Sequence, residues 1–63
     1  MNAKQIIKIL ENDGWYLHKS KGSHRQYKHP NKKGKVTVAF HGTVDIAEKT
    51  LKSIFNQANI KIK

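Results

Sequence analysis

The ten residues Lys21 to Pro30, "KGSHRQYKHP", place two histidines, two lysines and an arginine behind a glycine, with no acid among them. Such a stretch is either a solvated basic hairpin or a site where imidazole meets a phosphate. For cleavage of RNA, three things are needed: a base for the 2′-hydroxyl, positive charge on the non-bridging oxygens, and a proton for the leaving 5′-oxygen. Histidine serves as base or acid near neutral pH, its unperturbed pKa being ~6.5. A cationic neighbourhood favours the neutral ring, the form a base requires. His24 follows Gly22 and Ser23 directly. Gly22 keeps bulk away and lets a phosphate approach the backbone, and Lys21, Arg25 and Lys28 bring charge close.

Two other chemistries fit the residues less well. His18, His24, His29 and His41 are four imidazoles in a short chain. No pair has the i, i+4 spacing of a helical metal site, and no neighbouring carboxylate is at hand as ligand or orienting partner. No metal and no other cofactor is expected. Ser23 adjoins His24 but belongs on the opposite face of a strand, and no acid completes a hydrolase triad.

The charge of the whole chain points the same way. Formal net charge is +9 over 63 residues, a self-repulsion that a polyanionic partner would relieve. The acids are Glu11, Asp13, Asp45 and Glu48, so Gly14 to Val44 contains none. Lys19, Lys21, Arg25, Lys28, Lys32, Lys33 and Lys35 all fall in that gap. Nucleic acid is the expected partner. A lysine-rich surface kept for solubility is the bland alternative, and the basic stretch lacks the helical amphipathicity of a membrane-surface binder.

The length implies one domain, residues 1–63, with one thin core. There is no cysteine, hence no disulfide framework. No apolar run approaches the ~20 residues of a membrane span, and "MNAKQIIKIL" lacks the features of a secretory signal. A cytoplasmic protein is expected.

The elements that must position the histidines can be read from periodicity. Asn2 and Gln5 form a capping-box pair, and Ala3, Ile6, Ile7 and Leu10 mark one apolar helix face. Gly14 suits the left-handed position after that helix. "WYLHK", "RQYKH" and "KVTVAF" read as strands separated by Gly- and Pro-containing turns. A second helix is expected to be capped by Asp45 and Glu48, with Leu51, Ile54, Phe55 and Ala58 as its apolar face and Asn59 as its stop. The "IKIK" tail reads as frayed or weakly docked. The order is α-β-β-β-α, an α+β fold with both helices on one face of a three-stranded antiparallel sheet.

Val36, Val38 and Phe40 then face the helices together with Trp15, Leu17 and Tyr27. Pairing Leu17 with Tyr27 leaves the three-residue loop "KGS". Pairing Tyr27 with Val38 sets His24 across from His41. The open face on this register carries Tyr16, His18, Ser20, His24, Gln26, Lys28, Thr37 and His41.

In order and spacing, these segments resemble the HicA toxins, small mRNA interferases of prokaryotic toxin–antitoxin pairs. "GSHRQYKHP" is similar to the family's Gly-Ser-His, aromatic, His-Pro core. "ILENDGWYL", "VTVAFHG" and "KTLKSIFNQANI" are similar to its helix, strand and helix segments. The resemblance implies a fold like the double-stranded-RNA-binding domain. It also implies ribosome-independent mRNA cleavage, His24 as the catalytic residue, and a HicB-type antitoxin that covers the toxin surface. The chain departs from the family pattern at Ala39 (often proline), Lys49 (glycine) and Asn59 (glycine). Lys49 adds charge at a helix N-terminus, where backbone N–H groups already favour phosphate. The expected RNA- and phosphate-binding set is Gly22, Ser23, Arg25, Lys28, His41, Lys49 and Lys52, with His41 as a geometric guess for the second histidine. The alternative is a non-catalytic RNA-binding module of the same fold. A purely protein-binding partner is a third reading, for which the charge would be odd.

Overall fold

The computed structural model describes residues 1–41 and 44–60. The elements run α1 (Ala3–Asn12), β1 (Tyr16–Lys21), β2 (His24–Lys28), β3 (Val36–Ala39) and α2 (Glu48–Gln57). The strands form one antiparallel sheet in the order β1-β2-β3. The architecture is the expected α+β arrangement.

α1 begins where the sequence requires. The Asn2 side chain accepts from the Gln5 backbone N–H at 3.0 Å, and the Gln5 side chain accepts from the Asn2 N–H at 2.9 Å. This reciprocal pair satisfies two of the otherwise unpartnered donors of the first turn. The helix ends in a Schellman motif. Trp15 N–H donates to the Leu10 carbonyl and Gly14 N–H to that of Glu11, both at 3.0 Å, with Gly14 at φ 104°. Leu10 and Trp15, the apolar pair that accompanies this motif, are both buried.

α2 ends the same way. Ile60 N–H donates to the Phe55 carbonyl at 2.9 Å and Asn59 N–H to that of Asn56 at 3.1 Å, with Asn59 at φ 54°. Its start differs from expectation. The N-cap is Ala47, which has no side-chain oxygen, so Asp45 does not cap the helix. Asp45 is drawn instead to the N-terminus: it bridges to Asn2, its carboxylate lies 3.7 Å from the Met1 amine, and Ile46 N–H donates to the Met1 carbonyl at 2.9 Å. The first two residues thereby brace the segment leading into α2.

The core is the apolar face of each element. Ala3, Ile6, Ile7 and Leu10 of α1 meet Trp15, Tyr27, Val36, Val38 and the α2 residues Ile54, Phe55 and Ala58. Leu51, Phe40 and Ile60 pack at its margin. Both helices lie over β3, which leaves β1 as an edge that no helix covers. Leu17, expected in the core, is therefore 49% exposed although it pairs with buried Tyr27. Of the "IKIK" tail only Ile60 belongs to the described residues; Lys61 to Lys63 lie outside them, as does Gly42 after the third strand-like run.

Candidate active site

The site begins with a turn. Lys21 pairs with His24, so only Gly22 and Ser23 lie between β1 and β2. Gly22 has φ 60° and Ser23 is not at positive φ, the pattern of a two-residue type II′ hairpin turn. The expected three-residue loop is thus replaced by a tighter one. Such turns match the natural right-handed twist of paired strands, which two-residue type I and II turns do not. At the other end of the hairpin, Leu17 still pairs with Tyr27 as expected. The residue left over is accommodated in a bulge between Leu17 and Lys19, at His18.

That bulge decides which side chains join His24. Beyond it, Lys19 pairs with Gln26, Ser20 with Arg25 and Lys21 with His24. Paired residues share a face, so Lys19 and Lys21 project beside His24 and Gln26, and Ser20 projects to the helix side. The expectation that Ser20 lines the open face is corrected accordingly, and His18 is the extra, unpaired residue of the bulge. Lys19, Lys21, His24, Gln26 and Thr37 line a cleft of about 530 Å³ on the uncovered face. Below the bulge the expected parity holds: Tyr16 pairs with Lys28 on the same open face.

The pairing of β2 with β3 is also shifted. Tyr27 meets Val36, Arg25 meets Val38, and His24 meets Ala39, not His41. The slip is by two residues, so each side chain keeps its face while changing its neighbour. Phe40 N–H donates to the Ser23 carbonyl at 2.6 Å, which closes this end of the ladder. His41 lies two residues beyond Ala39 and still shares a second cleft with His24. This cleft, about 350 Å³, runs along the outer side of β3 and includes Thr37, Ala39, His41, Ala47 and Thr50. His24 and Thr37 border both clefts. The start of α2, with Lys49 exposed beside it, forms the far wall.

The other expected residues fall in different places. The position of Gly22 is open, with nothing within 4 Å of where a Cβ would stand. Arg25 is on the helix side of β2, its guanidinium 4.1 Å from the centroid of the Phe40 ring. It also adjoins the Tyr27 hydroxyl, whose pKa is pushed up by burial and partly drawn back by this cation. Arg25 is thus separated by the sheet from the imidazole of His24. Lys52 pairs at 3.8 Å with Glu48 one turn earlier, both well exposed, a contact of little energetic weight. The His24 ring makes no hydrogen bond among the described residues, so both nitrogens face potential ligands.

His29 is a structural residue. Asn31 N–H donates to its Nδ1 at 2.9 Å, which leaves Nε2–H to donate to the Asp13 carbonyl at 2.6 Å. The ring stands edge-on to Trp15 with centroids 5.2 Å apart. Asp13 is the hub of this clasp. Its carboxylate accepts from Trp15 Nε1 at 3.2 Å and from Lys32 Nζ. Lys32 also donates to the Ala58 carbonyl at 3.0 Å, at the C-terminus of α2. The hydrogen bond from Lys32 holds the Asp13 carboxyl below the usual carboxylate range. The clasp ties α1, the β2–β3 connection and α2 together at the end of the molecule remote from His24.

None of the four acids stands on a strand: Glu11 is on α1, Asp13 is in the clasp, Glu48 pairs with Lys52, and Asp45, 3.7 Å from the N-terminal amine, lines the second cleft with His24 and His41. Among the described residues no three His, Asp or Glu side chains converge as a metal-binding group. No helix among them is long and apolar enough to cross a membrane.

The sequence placed Lys21 close to His24 but left both Lys19 and Lys21 out of the open face that they line. The signal was present in part, since a Gly-Ser pair between two strand-like runs favours a two-residue turn. Comparison with curated proteins gives no match. The family model described as the HicA toxin of bacterial toxin–antitoxin systems matches residues 3–60. That span contains both helices, all three strands and the whole Gly22–Pro30 segment. The chain belongs to the HicA toxin family.

Proposed function

We propose that this protein is an mRNA-cleaving endoribonuclease, acting without the ribosome and without a metal ion, and neutralised by a HicB-type antitoxin. The observation that carries this reading is the position of His24, at the junction of two clefts and at the head of a lysine-lined sheet face whose strands carry no acid.

In this reaction the ribose 2′-oxygen attacks the adjacent phosphorus while the bond from phosphorus to the 5′-oxygen breaks. The products are a 2′,3′-cyclic phosphate and a 5′-hydroxyl. His24 accepts the 2′-hydroxyl proton or donates one to the 5′-oxygen, and His41, on the same cleft, is the candidate for the complementary role. Lys19 and Lys21 neutralise the charge that develops on the non-bridging oxygens. Gly22 and Ser23 leave the approach open. Lys28 follows the strand along the sheet, and Lys49 and Lys52 meet the backbone at the start of α2. Arg25 reaches RNA only at the rim, because its guanidinium is engaged with Phe40. The site of action is the cytoplasm, where mRNA and antitoxin are both met. The antitoxin inhibits by covering the open basic face, and its capture of the toxin slows as salt rises.

The test is incubation of the purified protein with an mRNA, with and without EDTA, followed by analysis of the new ends. The expected result is cleavage that survives EDTA and leaves cyclic phosphate. Ends carrying a 5′-phosphate would overturn the mechanism. The unoriented ring of His24 suits a second reading, a non-catalytic RNA-binding module, which would bind the same RNA and leave it intact.

A further inference from the structure

We propose that Tyr16, with Lys28 beside it, is a base-stacking subsite for single-stranded RNA on the open face of the sheet. The proposal rests on the RNA-cleaving reading above and names how the substrate is held away from the scissile phosphate.

The chain has five aromatic side chains of the Phe, Trp and Tyr types. Trp15, Tyr27 and Phe55 are buried in the core, at 2%, 2% and 5% exposure. Phe40 lies under the Arg25 guanidinium. Tyr16 is 51% exposed and has no such engagement among the described residues. It pairs with Lys28, which lies on the same face of β2 as Gln26 and His24. An exposed tyrosine on an edge strand is ordinary in itself. This one is the uncommitted ring on a basic, acid-free sheet face that leads to the candidate catalytic histidine. An aromatic on a sheet surface with cations alongside is the physical arrangement by which single-stranded RNA is held: bases stack on the ring and lysines meet the phosphates.

The geometry sets the reach. Lys28 is four residues along β2 from His24, or about 13 Å at the rise of a β-strand. A stacked strand advances ~3.4 Å per nucleotide. The base on Tyr16 therefore lies within about four nucleotides of the phosphate at His24. A base in a duplex has both its faces covered by neighbouring bases, so the subsite takes single strands only.

The experiment measures binding of an end-labelled 2′-O-methyl RNA oligonucleotide, which lacks the attacking hydroxyl and is not cleaved. Wild-type protein, Tyr16→Ala and Tyr16→Phe are compared, with thermal melts confirming that all three fold. The expected result is a roughly 5- to 150-fold loss of affinity in Tyr16→Ala and near wild-type binding in Tyr16→Phe. In a scan with single abasic nucleotides, one position should cost the wild type a similar factor and cost Tyr16→Ala nothing further. The same sequence presented as a duplex should show no dependence on Tyr16. Equal binding by all three proteins with a normal salt response would overturn the subsite and leave the RNA reading standing. A loss shared equally with the duplex, or a scan with no position coupled to Tyr16, would do the same. Failure of the wild type to bind the RNA at all would overturn both.

Discussion

Lys21 stands directly across the Gly22–Ser23 turn from His24, on the face of the sheet that no helix covers. One residue further back, Ser20 pairs with Arg25 on the other face. The contrast between these neighbours predicts a contrast in binding. Lys21→Gln should weaken binding of single-stranded RNA and lower the log–log salt slope by about 0.7, the value of one phosphate contact. Lys19→Gln should behave alike, and Ser20→Ala should leave both quantities unchanged. Salt titrations of the three variants check this. An unchanged slope in both lysine variants would mean that the cleft does not carry the RNA backbone.

The same relationship marks where the sequence could be read and where it could not. Three of the four helix ends were legible because their signals are local: Asn2 with Gln5, Gly14 and Asn59 each satisfy backbone groups within a few residues. The side of the sheet on which each β2 and β3 residue lies was legible too, since a one-residue slip would bury imidazoles and expose Val36 and Val38. The exact partners were not. A two-residue shift preserves every face, so hydrophobic pattern cannot distinguish Ala39 from His41 as the neighbour of His24. The bulge at His18 has no composition signal of its own, and it reassigns Lys19, Ser20 and Lys21 at once. Asp45 failed as a cap because a contact distant in sequence, with Met1 and Asn2, claimed it.

Gly14 has a double constraint that its counterpart Gly34 lacks. At Gly14, φ is 104° and an added Cβ would lie 2.6 Å from His29 Nε2; at Gly34, φ is 86° and the space is empty. Gly14→Ala should destabilise the fold by about 2 kcal/mol or more, from backbone strain together with displacement of the clasped ring. For a domain of this size that is a fall in Tm of roughly 8–16 °C. Gly34→Ala should lose clearly less. Equal losses in thermal melts would show that the His29 contact does not matter.

Asp13 makes stability depend on acid. Its pKa is lowered in the folded state, chiefly by the hydrogen bond from Lys32. A group with a depressed folded pKa contributes fully above its unfolded value, ~3.9 for Asp, and loses that contribution as pH falls through the folded value. The wild type should therefore lose Tm progressively below about pH 4. Asp13→Asn should start lower and show a shallower acid limb. Parallel acid limbs for the two proteins would contradict the clasp as an electrostatic contact. Because Asp13 is partly exposed, added salt should reduce the difference.

The proposed role of His24 is to move a proton in the cleavage of RNA. It is tested most directly by single-turnover cleavage of one RNA by wild-type protein and by His24→Ala, each shown by thermal melt to be folded. His24 is exposed and makes no contact that the core depends on, so the variant should melt close to the wild type. Its cleavage rate should fall by about 10²–10⁴-fold, with binding of uncleavable RNA reduced far less. Cleavage at the wild-type rate by a folded His24→Ala protein would contradict the account.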